Sequence, residues 1–133
     1  MNASDTSRRK RKVALIVDDE EVIAKTLAMI LNQAGFDATA LFSGEAAVAW
    51  AEPMRPDLVI TDVMMPGMTG IEAAIVIRGK LPECKILLFS GQAATTDLLE
   101  EARASGHDFE LISKPVHPRD LLEKIRGSLS ILV

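Results

Sequence analysis

Side chains suited to phosphate or metal chemistry stand where four predicted strands end. Asp18 and Asp19 follow the apolar run VALIV, and Asp62 follows the run LVIT. Ser90 ends the run KILLFS, and Lys114 comes directly after the run ELIS. Carboxylates gathered at one point raise each other's pKa unless a cation neutralises them. Three aspartates, a hydroxyl and an amine therefore indicate a site for a hard divalent cation and a transferring phosphoryl group.

The residue types also suggest how the phosphoryl group is held. A carboxylate can itself act as the nucleophile and form an aspartyl phosphate, and Asp62 is the best placed for that role. Mg²⁺ takes oxygen ligands and keeps several waters, so two carboxylates, one backbone carbonyl and waters would suffice. Each residue alone also has an ordinary structural interpretation, such as a turn former, a helix cap or a solvated charge. Their joint occurrence at four strand ends favours the functional interpretation.

Alternating apolar and amphipathic segments predict the elements that position these side chains. Short β-branched runs predict strands, and apolar residues at helical spacing predict helices. The strands are predicted at 13–17, 36–42, 57–62, 85–90 and 110–113, and the helices at 21–35, 43–53, 70–80, 95–104 and 118–129. Strict alternation favours an α/β fold with a parallel sheet covered by helices on both faces. In such sheets the working site lies at the carboxyl ends of the strands.

Length and composition favour one domain. The chain has 133 residues, of which 48% are hydrophobic and 26% charged, as in ordinary globular proteins. We expect a domain at 12–130, a basic disordered leader at 1–11 and a short tail at 131–133. The longest apolar runs are far below the roughly 18 residues that span a bilayer, which argues against membrane insertion. The single cysteine, Cys84, and the lack of a signal peptide favour a cytoplasmic location.

Charge is distributed unevenly along the chain. The net charge of -4 combines a basic segment at 1–12, with five basic residues and one acidic residue, with an acidic remainder. An acidic domain has the wrong sign for binding nucleic acid, so we do not expect a nucleic-acid partner. The sequence ends at residue 133 without a predicted output domain. We therefore expect the protein to act through a separate downstream protein, as a monomer or a weak homodimer.

The constellation resembles the receiver domain of two-component response regulators, of which the chemotaxis regulator is a single-domain example. The matching pieces are VALIVDDEE, PDLVITDVMMPGMTGIE, ILLFSG and ISKPV, and the resemblance covers residues 12–130. It implies a flavodoxin-like sheet of five parallel strands in the order 2-1-3-4-5, with five helices. It also implies transfer of a phosphoryl group from a phosphohistidine on a sensor histidine kinase or a histidine phosphotransfer protein, in a two-component system or a phosphorelay. In a phosphorelay the protein would pass the phosphoryl group on to a histidine phosphotransfer domain.

The resemblance assigns roles to individual residues. Asp62 accepts the phosphoryl group, and Mg²⁺ is held by Asp62, by Asp19 directly, by Asp18 mainly through water, and by the backbone carbonyl of Met64. Such a protein is a switch that phosphorylates and dephosphorylates itself, not a dedicated enzyme. Phosphorylation shifts an existing equilibrium between two surface arrangements and so changes a partner-binding face.

Further roles implied by the resemblance lie around the fourth and fifth strands. Ser90 hydrogen-bonds the phosphoryl group and moves toward it, and Lys114 pairs with another phosphoryl oxygen. The peptide bond between Lys114 and Pro115 is expected to be cis. Similar domains usually have a Tyr or Phe three residues before the lysine, but this chain has Leu111. Phe109 is two residues away and is expected to point to the same face.

Two positions tune the lifetime of the phosphoryl group in similar domains. They are the second residue after the acceptor, Met64, and the second residue after the hydroxyl, Gln92. Met64 has no group that orients a hydrolytic water, whereas Gln92 does. We therefore expect slow to intermediate self-dephosphorylation.

Three alternatives belong to other classes of protein. A Mg²⁺-dependent phosphatase of the aspartyl-nucleophile type would have an acid two residues after the nucleophile, where this chain has Met64. A flavin-binding electron carrier would need a phosphate loop after the first strand, where the acidic DDEE would repel a phosphate. A receiver fold retained only for protein interaction is less favoured because the acidic and lysine set is complete.

Overall fold

The computed structural model describes residues 11–91, 95–114 and 117–129. Within these ranges there are five strands and five helices in strict alternation. The strands are β1 (Val13–Val17), β2 (Asp37–Leu41), β3 (Leu58–Asp62), β4 (Lys85–Ser90) and β5 (Glu110–Ser113). The helices are α1 (Glu21–Gln33), α2 (Gly44–Met54), α3 (Gly70–Lys80), α4 (Thr95–Ala104) and α5 (Pro118–Leu129).

The strands form one sheet in the order β2-β1-β3-β4-β5, and every pairing is parallel. This confirms the predicted α/β class and the flavodoxin-like strand order. The differences lie at the element ends. β2 is one residue shorter at each end than predicted, and α2 continues one residue past Pro53 before Arg55 ends it in the left-handed conformation, with φ 51°.

Each face of the sheet has its own hydrophobic core. Helices α1 and α5 cover one face, here called the α1–α5 face, and α2, α3 and α4 cover the other, the α2–α4 face. The central strands are buried on both sides, which explains their continuous apolar runs. The core of the α1–α5 face includes Ala14, Ile16, Leu31, Ile60, Phe89, Ile112, Leu121 and Ile125.

Side-chain caps hold the helix starts that lie near the carboxyl edge of the sheet. Ser43 Oγ accepts a hydrogen bond from the N–H of Ala46 at the start of α2. At the start of α3, Thr69 and Glu72 form a reciprocal capping box. Helix α1 is followed by Gly35, which has φ 103° and reverses the chain into β2.

The leader and the tail lie outside the described residues, apart from Arg11, whose guanidinium donates to the carbonyl of Phe36 at 3.3 Å. Cys84 is buried, and burial raises the pKa of its thiol to about 12. Among the described residues, no helix is both long and apolar enough to cross a membrane.

Candidate functional site

Strand alternation brings three of the predicted site residues to the same face of the sheet. Asp18, Asp62 and Lys114 each stand two residues beyond a strand residue whose side chain is buried in the core of the α1–α5 face. Those core residues are Ile16, Ile60 and Ile112. The carboxyl edge of this face therefore changes from apolar to charged within two residues.

The Lys114 ammonium bridges two aspartates from different strands. Its Nζ lies 3.2 Å from Asp18 Oδ2 and 3.2 Å from Asp62 Oδ1, and it donates a hydrogen bond to each. Asp18 is 1% exposed and Asp62 is 8% exposed. The ammonium also lies 5.0 Å from the centre of the Phe89 ring. A second oxygen of Asp18 accepts the N–H of Glu20 at 3.0 Å, which fixes that carboxylate.

The single positive charge of Lys114 does not balance the negative charges of the three aspartates. Burial, followed by the charge of Asp18, raises the pKa of Asp62, and Lys114 only partly opposes this shift. Burial alone would lower the pKa of Lys114, but the charges and hydrogen bonds of Asp62 and Asp18 outweigh it, so its pKa is raised. Lys114 therefore stays protonated at neutral pH, and the cluster retains excess negative charge.

The donor set suits a hard divalent cation. Asp18, Asp19 and Asp62 each offer a carboxylate oxygen, and these oxygens lie within 4.8 Å of one another. Asp19 is exposed, so the cluster opens to solvent on its side. It borders a cleft of about 330 Å³ lined by Asp19, Glu20, Asp62, Met64, Gly91 and Lys114. Oxygen ligands and excess negative charge fit a cation such as Mg²⁺ better than a softer metal.

Ser90 lies at the same edge, beside the acidic cluster. It is buried and pairs in register with Ser113, and its backbone carbonyl accepts the N–H of Lys114 at 2.9 Å. Alternation along β4 places its side chain on the α2–α4 face with Leu88, whereas Asp62 continues the α1–α5 face. The expected cis bond before Pro115 and the expected role of Gln92 fall outside the described residues.

Two residues that sequence reasoning missed shape the site. Gly70 begins α3, and its N–H donates to the carbonyl of Val63 at 2.8 Å. A Cβ atom at Gly70 would lie 1.9 Å from the carbonyl oxygen of Asp62, so only glycine fits there. The other residue is Phe89, under the Lys114 ammonium. Phe89 could have been noticed in the sequence, because it is an aromatic residue directly before Ser90. Nothing in the sequence distinguishes Gly70 from an ordinary first residue of a helix.

The comparison with protein families agrees with this geometry. The family model described as the response regulator receiver domain matches residues 14–126. The chain belongs to this family. It therefore has the phosphoacceptor role of receiver domains in two-component systems, in which response regulators pair with histidine kinases.

Curated relatives of this receiver domain are longer proteins. The probable transcriptional regulatory protein TcrX of Mycobacterium tuberculosis is 33% identical over 115 residues, which cover 86% of this chain and 48% of that protein. The DNA-binding response regulator MtrA of Mycolicibacterium smegmatis is 31% identical over 125 residues, which cover 94% of this chain and 52% of that protein. The chain thus spans about half the length of the curated relatives it matches.

Solved structures show the same fold as this receiver domain. The chemotaxis protein CheY4 of Vibrio cholerae superposes with a TM-score of 0.79 at 29% identity, covering 90% of this chain and 99% of that one. A CheY-like receiver domain protein from Methanospirillum hungatei gives a TM-score of 0.82 at 30% identity, covering 91% of this chain and 95% of that one. The match extends over almost the whole length of both structures.

The receiver domain has Leu111 on its edge strand where similar domains usually have an aromatic ring. Leu111 is 36% exposed and pairs in register with Leu88 of the α2–α4 face. Phe109 belongs to the core of that same face, as expected. It is 7% exposed, and the Arg78 guanidinium lies 4.7 Å from its ring centre. The core of the α2–α4 face and Arg78 therefore hold the Phe109 ring in place, and position 111 has no ring of its own.

Gly70→Ala should destabilise the receiver domain, because the new Cβ must displace the backbone of Asp62. We expect a loss of about 1–3 kcal/mol in the free energy of unfolding, measured by urea denaturation. Gly79 provides a matched control in the same helix, since a Cβ there meets nothing within 4 Å. Gly79→Ala should stabilise the helix by up to about 1 kcal/mol. Equal effects of the two substitutions on the free energy of unfolding would contradict the close approach of Gly70 to the Asp62 carbonyl.

Ionisation of Asp62 should lower the free energy of unfolding of the domain. Its pKa is raised above the 3.8 of an unperturbed aspartate, so the native state holds its proton to a higher pH than the unfolded chain does. Stability attributable to Asp62 therefore falls as the pH rises from 3.8 through the raised folded value. We expect Asp62→Asn to be more stable than wild type at pH 7 without divalent cations, with a gap that narrows toward pH 4. Urea unfolding across this pH range measures the gap.

Glu52→Gln is the control for this prediction, because the pKa of Glu52 is shifted in the opposite direction to that of Asp62. Its hydrogen bond with Lys80 lowers the pKa of Glu52, so removing that charge should not stabilise the protein at pH 7. A gap between Asp62→Asn and wild type that does not change with pH would show that Asp62 ionisation is not its cause.

Proposed function

We propose that Asp62 is the phosphoacceptor, and that it receives the phosphoryl group from a phosphohistidine of a sensor histidine kinase or a histidine phosphotransfer protein. The observation that carries this assignment is the contact of the Asp62 carboxylate with the Lys114 ammonium at 3.2 Å, inside the cluster of three aspartates. Asp62 also borders the cleft through which a donor would approach.

The proposed step exchanges one phosphorus bond for another. A carboxylate oxygen of Asp62 attacks phosphorus, the bond from phosphorus to the histidine nitrogen breaks, and the leaving imidazole takes up a proton. The product is an acyl phosphate on Asp62, and attack of water on its phosphorus later returns the carboxylate and inorganic phosphate. Lys114 supports both steps, because its charge lies where phosphoryl oxygens would arrive and its N–H groups can turn to them.

Asp18, Asp19, Asp62 and the backbone carbonyl of Met64 would hold Mg²⁺ beside the acceptor. When bound, the cation offsets negative charge on the carboxylates and on a phosphoryl group. The residues of the chain supply the rest. Glu20 fixes the Asp18 carboxylate through its backbone N–H, and Gly70 allows the backbone of Asp62 to pack against the start of α3.

Ser90 is the proposed sensor of the acceptor's state. Because its side chain starts from the α2–α4 face, a hydrogen bond to a phosphoryl group on Asp62 would require movement toward the other face. Such a movement would shift the start of the connection to α4 and change a partner-binding surface. We propose a separate protein as the recipient of this signal, with the domain acting as a monomer or a weak homodimer.

The same proposal covers the protein's class and location. We infer a switch that phosphorylates and dephosphorylates itself, not an enzyme with its own substrate turnover, since the acceptor is a side chain of the protein. We also propose a cytoplasmic location, since Cys84 is a free cysteine, as is usual in a reducing compartment.

Incubation with acetyl phosphate and Mg²⁺ tests the acceptor. We expect intact mass spectrometry to show a gain of one phosphoryl group in the wild type and none in Asp62→Asn. Glu52→Gln provides a control carboxylate, exposed and paired with Lys80, and should gain phosphate like the wild type. Equal phosphorylation of Asp62→Asn and wild type would overturn the assignment.

Met64 should prolong the lifetime of the acyl phosphate. Its side chain is 40% exposed and lines the cleft with Asp62, where it offers no hydrogen bond to a hydrolytic water. We expect Met64→Asn to shorten the half-life about threefold to tenfold, equivalent to roughly 1 kcal/mol at the barrier. Met64→Leu keeps the site apolar and should preserve the lifetime. Intact mass spectrometry at successive times measures the loss of phosphate. If Met64→Asn loses phosphate as slowly as the wild type does, Met64 does not set the lifetime.

A further inference from the structure

The loop 63–69, which joins β3 to α3, follows Asp62 and carries Met64. Its first residue is tied down twice, because Val63 donates to the carbonyl of Phe89 at 3.3 Å and accepts from the N–H of Gly70 at 2.8 Å. Beyond Met64 the loop turns at Gly67, which has φ 74°. The loop must therefore be held at its far end as well if the Met64 carbonyl is to keep one position.

The far end is held at Thr69 by the capping box with Glu72, and Glu45, in the first turn of α2, adds an attachment one residue earlier. Its Oε2 accepts the backbone N–H of Met68 at 3.0 Å, across 23 positions of the sequence. The same oxygen would lie 2.8 Å from a Cβ atom at Gly67, so the carboxylate lies close against this turn. Gly44 also allows close packing, because a Cβ there would lie 3.0 Å from the carbonyl oxygen of Met68.

We propose that Glu45 is a positioning residue for phosphoryl transfer, which acts by holding the far end of the loop 63–69 and thereby the Met64 carbonyl. This inference rests on the proposed function of Asp62. Glu45 lies outside the residues that line the cleft, so its effect would pass through the backbone of the loop. Supporting contacts of this kind orient the groups that bind a metal.

Two variants separate the hydrogen bond from the charge. Glu45→Ala removes the acceptor and the negative charge, whereas Glu45→Gln removes only the charge and keeps an amide oxygen of the same reach. A negative charge in the first turn also favours the helix dipole, and both variants lose that contribution equally. Any difference between them therefore reports the bond to Met68.

The test measures Mg²⁺ affinity by calorimetry, the rate of phosphorylation by acetyl phosphate, and hydrogen exchange at the Met68 amide. For Glu45→Ala we expect about threefold to tenfold weaker Mg²⁺ binding and a similarly slower rate, with faster exchange at Met68. Glu45→Gln should stay within about twofold of wild type in Mg²⁺ affinity and rate, since its oxygen still accepts the Met68 N–H. Glu52→Ala removes an exposed glutamate of the same helix and should leave all three measurements unchanged.

The possible failures are distinguishable. Wild-type affinity and rate in Glu45→Ala would overturn the role of Glu45, and so would a loss in Glu45→Gln as large as that in Glu45→Ala. Failure of the wild type itself to take up phosphate would instead overturn the function proposed for Asp62.

Discussion

The ion pairs of Lys114 with Asp18 and Asp62 are the interactions that allow two carboxylates to be buried at the carboxyl edge of the sheet. Two carboxylates nearly removed from solvent would be costly without a cation, and one ammonium serves both at 3.2 Å. Among the described residues, no buried side-chain nitrogen or oxygen lacks a hydrogen-bond partner. Burial and the charge of Asp18 still raise the pKa of Asp62, because Lys114 opposes them only in part.

Strand order determines how this bridge can form. Asp18 and Asp62 follow the neighbouring strands β1 and β3, but Lys114 follows β5, with β4 lying between β3 and β5. The long lysine side chain must therefore cross β4 on the α1–α5 face. Phe89 of β4 points to that face and presents its ring to the ammonium at 5.0 Å. An apolar ring with a negative face stabilises both the methylene stem and the charge that cross it.

Much of this arrangement could be predicted from the sequence, because it depends on local patterns. The apolar run of β1 followed at once by Asp18 predicts both a buried strand and a charged end, and the same holds for β3 and Asp62. Contacts that lie away from the strand ends could not be predicted in this way. Gly70 looks like any first residue of a helix until the structure shows it against the Asp62 carbonyl, and Glu45 looks like an ordinary first-turn acid until Met68 is seen beside it.

Lys114 also joins the site to the edge strand. Its side chain reaches Asp62, while its backbone N–H donates to the carbonyl of Ser90 and its Cβ would lie 3.3 Å from one built on Gly91. At the other end of β5, Phe109 is fixed beneath Arg78, and Leu111 offers no ring to exchange between buried and exposed positions. The described contacts between the acidic cluster and β5 therefore run through Lys114. A change of charge at Asp62 therefore reaches β5 through this lysine, whereas it reaches β4 directly, because Asp62 pairs in register with Phe89.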